Sequence, residues 1–297
     1  MRKNFSSAGI ILSGMFLFFG AMTACKKDTE TPPPQLQSDT VYVLTSIRKN
    51  NVLLDSMVYD TIKQRLQSII TPTDTPGLSF SMSFVYNSDN KVIAVQHYNT
   101  QFVETIRDSV SYHNNGLAVT PIYGPGSYGD STVYQLNADG QIVLIGSKDT
   151  VTADGSESLY YRELTLAAQN TLQNKEISYS SSVYGTSTYS YVSSPSYDTH
   201  PSPYYLLYRN YPALFSFWIA KLDFPLDGVN NPVTGNFTKN YNTMPTIQNN
   251  SAITYVYDSI SHYPLQQSYT VQSYYYDEIR SSSYTINFGY LRYIVKK

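Results

Sequence analysis

Cys25 is the residue whose chemistry this sequence defines most directly. It is the only cysteine among 297 residues, and it follows Ala24 just after an apolar segment. A thiol at a new N-terminus can be joined to a diacylglycerol through a thioether before cleavage between Ala24 and Cys25. The run Ala21–Cys25 therefore predicts lipidation at Cys25, with Met22 standing where leucine is usual.

The first 24 residues have the layout of a secretory leader. Arg2 and Lys3 precede an apolar stretch over residues 8–19. That stretch is interrupted by glycine and is shorter than the roughly 20 apolar residues of a membrane-spanning helix. Residues 1–24 are therefore predicted to be a bacterial lipoprotein signal peptide, and an ordinary secretory leader is the alternative.

Residues 25–40 are predicted to be the lipidated cysteine and a flexible tether. They are polar, charged and then proline-rich, as linkers are. The sequence Lys-Lys-Asp-Thr-Glu after Cys25 resembles the surface-export signal of lipoproteins from the Bacteroidetes phylum. It implies an outer-membrane lipoprotein, surface-exposed, whose lipid anchor binds the membrane. The alternative is a solvated linker without an export role.

The histidines do not form a recognisable catalytic or metal-binding motif. His97, His113, His200 and His262 are scattered and lack the short spacing of zinc ligands. The chain has no Gly-x-Ser-x-Gly elbow, P-loop or dinucleotide fingerprint. We therefore expect no catalytic residue, no metal and no cofactor. Asp198 and His200 are the nearest candidate for a metal site, and a loop pair of this kind is usually just solvated.

Two turns are rich in oxygen ligands and raise the question of calcium. They are Asn87–Asn90 and Asn137–Gly140, and Ca²⁺ takes six to eight oxygens. Neither turn offers a full ligand set. A tight hairpin turn is the favoured interpretation of both.

Asp followed by Ser or Thr and then by an apolar residue or Thr resembles the O-glycosylation acceptor of Bacteroidetes secreted proteins. The seven matches are Thr40, Ser56, Thr61, Ser109, Ser131, Thr150 and Ser259. An Asp-Ser or Asp-Thr pair also opens turns, so both interpretations stay open. We expect at least one of these hydroxyls to carry a glycan.

Composition excludes some partners and points to sheets. Charged residues make up 14% of the chain, its net charge is −2, and no basic patch appears, which argues against a nucleic-acid partner. The 30 tyrosines favour pleated, half-buried surfaces. Most are expected to be cross-strand pairs, and the alternative is an aromatic platform for a sugar or a protein.

A repeated hairpin pattern indicates the fold. Each copy has an alternating strand, an Asp- or Asn-centred turn and a second alternating strand. The copies cover residues 57–69, 84–95, 134–145 and 253–265, with a weaker one at 275–280. Residues 41–297 are therefore predicted to form one all-β domain, an antiparallel meander of consecutive hairpins forming a curved sheet or open barrel.

The middle of the domain differs in composition. Residues 178–203 are rich in Ser and Tyr and predict a loop, or a long hairpin with a weakly specified register. Residues 204–222 predict either a short helix or buried strands, and Pro212 interrupts any long helix.

The hairpin pattern resembles the tyrosine-aspartate repeats of a Bacteroidetes lipoprotein family of unknown function. Leu136–Gly140 matches the leucine-asparagine-alanine-aspartate-glycine copy of that family, and residues 238–245 occupy the place of its late loop before the last repeat. The resemblance covers residues 41–297 in layout. It implies a curved antiparallel sheet at the cell envelope and no known activity.

These observations together predict a cell-envelope lipoprotein that is a non-enzymatic surface binding module for a glycan or an envelope protein. One alternative is a structural envelope component facing the periplasm. The other is a hydrolase whose active site is not visible in one sequence.

Overall fold

The computed structural model describes residues 38–75, 77–208, 211–214, 228–242, 247–275 and 278–296. The chain divides into a small unit and a large unit, and the large one is Thr40–Val295. Cys25, the predicted signal peptide and most of the predicted tether lie outside the described residues.

Strands dominate the described residues, with one short helix between the thirteenth and fourteenth strands. The first nine strands are β1 (Ser38–Lys49), β2 (Val52–Asp60), β3 (Arg65–Pro72), β4 (Ser79–Tyr86), β5 (Val92–Tyr98), β6 (Glu104–His113), β7 (Gly116–Gly124), β8 (Ser127–Tyr128) and β9 (Thr132–Leu136). The rest are β10 (Ile142–Ala153), β11 (Ser156–Ala167), β12 (Asn170–Ser182), β13 (Gly185–Pro201), α1 (Pro203–Tyr208), β14 (Asn230–Tyr241), β15 (Ile247–Tyr257), β16 (Pro264–Tyr275) and β17 (Glu278–Lys296).

The sheet is an antiparallel meander that closes on itself. Consecutive strands pair from β1 to β7 and from β9 to β17, and β7 pairs directly with β9. The pairing of β1 with β17 closes a barrel of 16 strands, and β8 is one extra strand beside β7. The predicted all-β class and hairpin meander are confirmed, and the sheet closes completely where an open form was the expectation.

Alternation along each strand separates an inner face from an outer one. On β15, Ser251 and Ile253 are buried while Ala252 and Thr254 are exposed. Successive side chains of a strand point to opposite faces, so one face of a closed sheet must line its interior. The hydrophobic core lies inside the barrel, and its fully buried side chains include Leu44, Ile47, Ile69, Leu117 and Ile286.

The described residues 203–208 and 211–214, between β13 and β14, fill part of that interior. Tyr204 and Leu207 of α1 belong to the same core cluster as the inward-facing strand residues. Tyr204 meets Phe288 of β17 with ring centroids 5.7 Å apart, and Tyr211 meets Phe84 of β4 at 5.9 Å. Residues 203–208 and 211–214 therefore act as a plug that packs against strands from distant parts of the chain.

Residues 204–222 were predicted to be a short helix or buried strands. In their described part, the structure shows the six-residue helix α1. Within the described residues, no helix has the length and apolar character needed to cross a membrane.

The predicted hairpins lie where strands of the barrel meet. Residues 57–69 span the β2–β3 turn, 84–95 the β4–β5 turn, 134–145 the β9–β10 turn and 253–265 the β15–β16 turn. The Ser/Tyr-rich run 178–203 is mainly the β12–β13 hairpin, with nine registered pairs between Asn174↔Ser193 and Ser182↔Gly185. The prediction of a loop for this run is therefore wrong, and the alternative prediction of a hairpin is correct. Unbroken pairing satisfies the backbone N–H and C=O groups of the two strands.

Three turns share one side-chain geometry. The Oδ1 atoms of Asn87, Asn99 and Asn137 each accept two backbone N–H groups, from two and four residues further on, at 2.9–3.0 Å. The fourth residue of each turn has a positive φ: 62° at Asn90, 59° at Phe102 and 78° at Gly140. The asparagine oxygens considered for calcium are thus engaged within their own turns, which supports the hairpin interpretation.

Candidate functional site

The candidate site is an open chamber inside one end of the barrel. Its volume is about 710 Å³, and its wall is built by inward-facing residues of the strands from β11 to β17 and of β1. We call it the Tyr-rich chamber, and its lining residues are Lys49, Asn50, Tyr160, Arg162, Glu176, Tyr189, Tyr191, Phe237, Lys239, Asn249, Tyr269, Val271, Ser273, Ser282, Ser283 and Tyr284.

Strand alternation explains how these residues come to share one space. Tyr189 and Tyr191 are two apart on β13, and Phe237 and Lys239 are two apart on β14. A period of two places both members of each pair on the same face. The chamber is thus lined by the inner face of the sheet, in the part of the barrel into which the packed core does not extend.

The chamber ends where the next inward-facing positions become buried. Moving two residues along five of its strands leads to Leu164, Asn174, Ser193, Gln267 and Ile286, all at most 4% exposed. Neither side-chain polar atom of Asn174 or of Gln267 has a hydrogen-bond partner. Such groups are unusual in a protein interior, and they form a polar layer directly beneath the chamber.

An ion pair lies in the wall. Arg162 of β11 and Glu176 of β12 are cross-strand partners, and the guanidinium Nη2 donates to the Glu176 carboxylate. Burial alone would lower the pKa of Arg162, but the charge and the hydrogen bond of Glu176 outweigh it and the net shift is upward. Arg162 therefore keeps its positive charge although its side chain is only 13% exposed.

Aromatic rings meet in pairs along the same wall. Tyr189 contacts its cross-strand partner Tyr241 with ring centroids 4.8 Å apart, and Tyr269 contacts its partner Tyr284 at 4.7 Å. These separations are typical of stabilising aromatic pairs. The expected cross-strand tyrosine pairs are present, and they also present ring surface to the chamber.

Two lysines project among these rings. Lys239 Nζ lies 5.0 Å from the centroid of Phe237 and 5.9 Å from that of Tyr191. Lys49 Nζ lies 4.0 Å from the centroid of Tyr284. All three distances fall within the range of cation–π attraction, which holds each ammonium against the wall.

Two tyrosines of the wall, Tyr160 and Tyr189, are held in the neutral form. Burial raises the pKa of Tyr189, and the nearby Glu176 carboxylate and Tyr241 raise it further. Burial also raises the pKa of Tyr160, again with Glu176 adding to the effect. At neutral pH these phenols are therefore hydrogen-bond donors as well as apolar surfaces.

Asp198 and His200, the nearest candidate for a metal site in the sequence, form a structural cluster outside the chamber lining. Tyr257 donates its hydroxyl to Asp198 Oδ2, and the His200 ring stacks on Tyr257 with centroids 4.0 Å apart. Backbone N–H groups of His200 and Asn231 donate to Asp198 Oδ1 at 2.9 and 3.2 Å. The aspartate therefore joins β13, β14 and β15, and within the described residues no group of three His, Cys, Asp or Glu side chains is placed to hold a metal.

The candidate glycosylation residues are spread over the outside of the barrel. Thr40, Ser109, Thr61, Ser131, Thr150 and Ser259 are exposed, and Ser56 is half-buried. Thr61 and Ser259 open turns, since Asp60 Oδ1 and Asp258 Oδ2 accept backbone N–H groups two and three residues on. The structure therefore brings none of the seven into the chamber, and glycosylation stays a prediction.

The chamber residues were not recognisable as a site from the sequence. Cross-strand pairing was expected for most tyrosines, but Arg162, Glu176 and Lys239 were not singled out. One signal was present: charged residues at inward positions of strands that also carry aromatics, as Lys239 does two residues after Phe237. Charge at an inward position is unusual unless it is paired or functional.

Comparison with known proteins gives little sequence similarity. No family model matches the chain, and no curated protein matches it. Similar solved structures include a porin-like protein from Bacteroides uniformis, with 11% identity, a TM-score of 0.35, and coverage of 84% of this chain and 98% of that one. Another is a porin-like protein from Bacteroides vulgatus, with 9% identity, a TM-score of 0.35, and coverage of 83% and 98%. Both are too distant to transfer a function to this chain.

Proposed function

We propose that this protein is a cell-envelope lipoprotein whose barrel binds a glycan in the Tyr-rich chamber without transforming it. The observation that carries the proposal is an open chamber of about 710 Å³ whose wall combines tyrosine rings with polar side chains. Ligand pockets in proteins have this size, with a mostly aromatic lining and a few placed polar groups.

The lining matches the chemistry of a sugar. A sugar ring has an apolar C–H face and hydroxyl edges, and it fits between an aromatic ring and hydrogen-bonding groups. Tyr160 and Tyr191 supply rings, while Asn249 and Ser273 supply polar groups in the same space. The Asn249 side-chain oxygen is buried and has no hydrogen-bond partner, so it can accept a ligand hydroxyl.

The charged groups of the chamber favour binding over hydrolysis. A glycosidase uses two carboxyl groups roughly 5–10 Å apart. Among the described lining residues, Glu176 is the one carboxylate, and Arg162 already holds it in an ion pair. A concave pocket also suits a glycan better than the flat surface of an envelope protein. Of the two ligands that the sequence suggested, a glycan or an envelope protein, the glycan is therefore favoured.

The direction of the chain supports a role away from the membrane. β1 runs from Ser38 to Lys49, and Lys49 lines the chamber. The tether joins β1 at its beginning, so Thr40 lies at the barrel end opposite the chamber. The barrel therefore begins at one end and binds its ligand at the other.

Binding to a panel of oligosaccharides tests the proposal directly. The full mature protein would be measured with Tyr160→Ala, which removes a chamber ring, and with Tyr128→Ala as a control on β8, exposed outside the chamber. We expect a ligand for the wild type, loss of at least about tenfold in affinity for Tyr160→Ala, and no change for Tyr128→Ala. A wild type that binds no member of the panel contradicts the proposal.

Location is tested separately, by protease treatment of intact cells with a periplasmic control protein. Loss of this protein while the control survives supports surface exposure. Protection until the outer membrane is broken favours the structural component facing the periplasm instead. Cys25→Ser should abolish incorporation of labelled fatty acid, and continued incorporation would contradict lipidation at this residue.

A further inference from the structure

We infer that the ligand of the Tyr-rich chamber is an acidic oligosaccharide, recognised through Lys49 and Lys239. This inference rests on the glycan-binding function proposed above and specifies the class of glycan. Among the described lining residues, three cations face one carboxylate, although the whole chain carries a net charge of −2. The chamber is therefore positive inside a slightly negative protein.

The pairing of Arg162 with Glu176 leaves the two lysines as the uncompensated charges. Within the part of the chain that the structure describes, neither Lys49 nor Lys239 forms an ion pair. An ammonium has three donors and no acceptor, so a carboxylate or sulfate on the ligand is its natural partner.

Contacts with the wall keep both ammonium groups in place before a ligand binds. Lys239 lies against Phe237 and Tyr191, and Lys49 lies 4.0 Å from the centroid of Tyr284. A lysine that is already ordered loses less side-chain entropy on binding than a free one. The same rings are available to the apolar faces of neighbouring sugars.

The separation of the lysines indicates an oligomer with more than one negative charge. Lys239 lies on β14 and Lys49 on β1, which follows β17 around the barrel, so four strand spacings separate them. Neighbouring strands are about 4.8 Å apart, so the separation along the wall is on the order of 19 Å. One anionic group does not fill both positions, whereas repeated acidic sugars do.

The test compares acidic oligosaccharides with neutral forms of the same backbone. Calorimetry on the full mature protein would use galacturonate oligomers and their methyl esters, and sulfated oligomers and their desulfated forms, at low and high salt. Lys239→Gln and Lys49→Gln remove chamber charges, and Lys239→Arg keeps one. Lys148→Gln is the matched control, because Lys148 also lies over a ring, 5.6 Å from the centroid of Tyr161, but outside the chamber lining.

We expect the acidic form of at least one backbone to bind about tenfold or more tightly than its neutral form, with affinity falling as salt rises. Each chamber Lys→Gln change should weaken acidic binding about tenfold, while Lys239→Arg and Lys148→Gln bind as the wild type does. Equal binding of neutral and acidic forms, or full affinity in both Gln variants, would overturn this inference and leave glycan binding standing. If no neutral or acidic oligosaccharide binds, the proposed function itself fails.

Discussion

Arg162 and Glu176 face each other across β11 and β12, and their side chains are only 13% and 14% exposed. Lys148 of β10 and Glu163 of β11 form a second cross-strand pair that is 49% and 39% exposed. Burial decides how much an ion pair contributes to stability. Water screens exposed charges, whereas the loss of one partner of a buried pair leaves the other charge buried and uncompensated. The two pairs therefore separate the effect of burial from the effect of charge.

Glu176→Gln should destabilise the protein, because it leaves the Arg162 guanidinium buried without a counter-charge. We expect a loss of about 1.5–3 kcal/mol in the free energy of unfolding, measured by urea denaturation at neutral pH. Glu163→Gln is the control, with an expected loss below about 1 kcal/mol. Equal losses in the two variants would show that the buried pair has no special role.

Gly146 of β10 should not tolerate a side chain. Its φ is 83°, and a Cβ there would lie 2.3 Å from the backbone oxygen of Tyr160. Gly126 also has a positive φ, 75°, but a Cβ there meets no atom within 4 Å. Alanine at either position costs about 1–2 kcal/mol for the left-handed backbone, and only Gly146→Ala adds the clash.

Thermal and urea unfolding of the two alanine variants would test this expectation. Gly146→Ala should be clearly less stable than Gly126→Ala. Similar stabilities would mean that the β10–β11 contact relaxes at little cost, and the tight approach at Tyr160 would then not matter for stability.

The plug should contribute strongly to stability through Leu207. This side chain is 3% exposed within the core cluster, and Leu207→Ala is expected to cost about 2–5 kcal/mol through the lost burial and the cavity left behind. Leu172→Ala on β12 is the control, since Leu172 is 55% exposed and its loss should cost less than about 1 kcal/mol. Unchanged stability in Leu207→Ala would mean that the barrel does not depend on its plug.

Stability should fall in alkali. Burial raises the pKa of Tyr86 to about 12, with Arg65 acting in the opposite direction and Tyr112 adding to the rise. Burial raises the pKa of further tyrosines, namely Tyr189, Tyr211, Tyr255 and Tyr290. A tyrosine in the unfolded chain ionises near pH 10, so the folded chain binds more protons than the unfolded chain above that pH.

The stabilising contribution of Tyr86 is therefore complete below about pH 10 and is lost between about pH 10 and 12. Urea unfolding across this range, together with tyrosinate absorbance, would measure it. Tyr86→Phe should reduce the slope of stability against pH. Tyrosines that all ionise near pH 10 while the protein stays folded would contradict the expectation.

Local features were predictable from the sequence because they depend on neighbouring residues. The turns at Asn87 and Asn137 follow from side chains that bond their own backbone. The same turn at Asn99 was missed because Phe102, not Gly or Asn, takes the positive φ. A bulky residue in that region is rare, so sequence preference alone does not indicate it.

The chamber was not predictable because it depends on contacts between distant segments. Lys49 and Tyr284 are 235 positions apart in sequence, yet they touch because β1 pairs with β17. Hairpin patterns fix which residues share a face within two strands, but they do not say whether a sheet closes. Closure decides which tyrosines face one another across a shared space and which stay on a surface.

Closure of the sheet also affects how this protein can bind other polypeptides. Each of the 16 barrel strands has a hydrogen-bonded neighbour on both sides. An open sheet edge offers a row of free N–H and C=O groups on which another chain can form a strand, and this is a common route to aggregation. Within the described residues most of those rows are occupied, so the barrel offers little free edge for strand addition. Copies brought close together would have few edges on which to join into larger sheets, and recognition depends mainly on side chains.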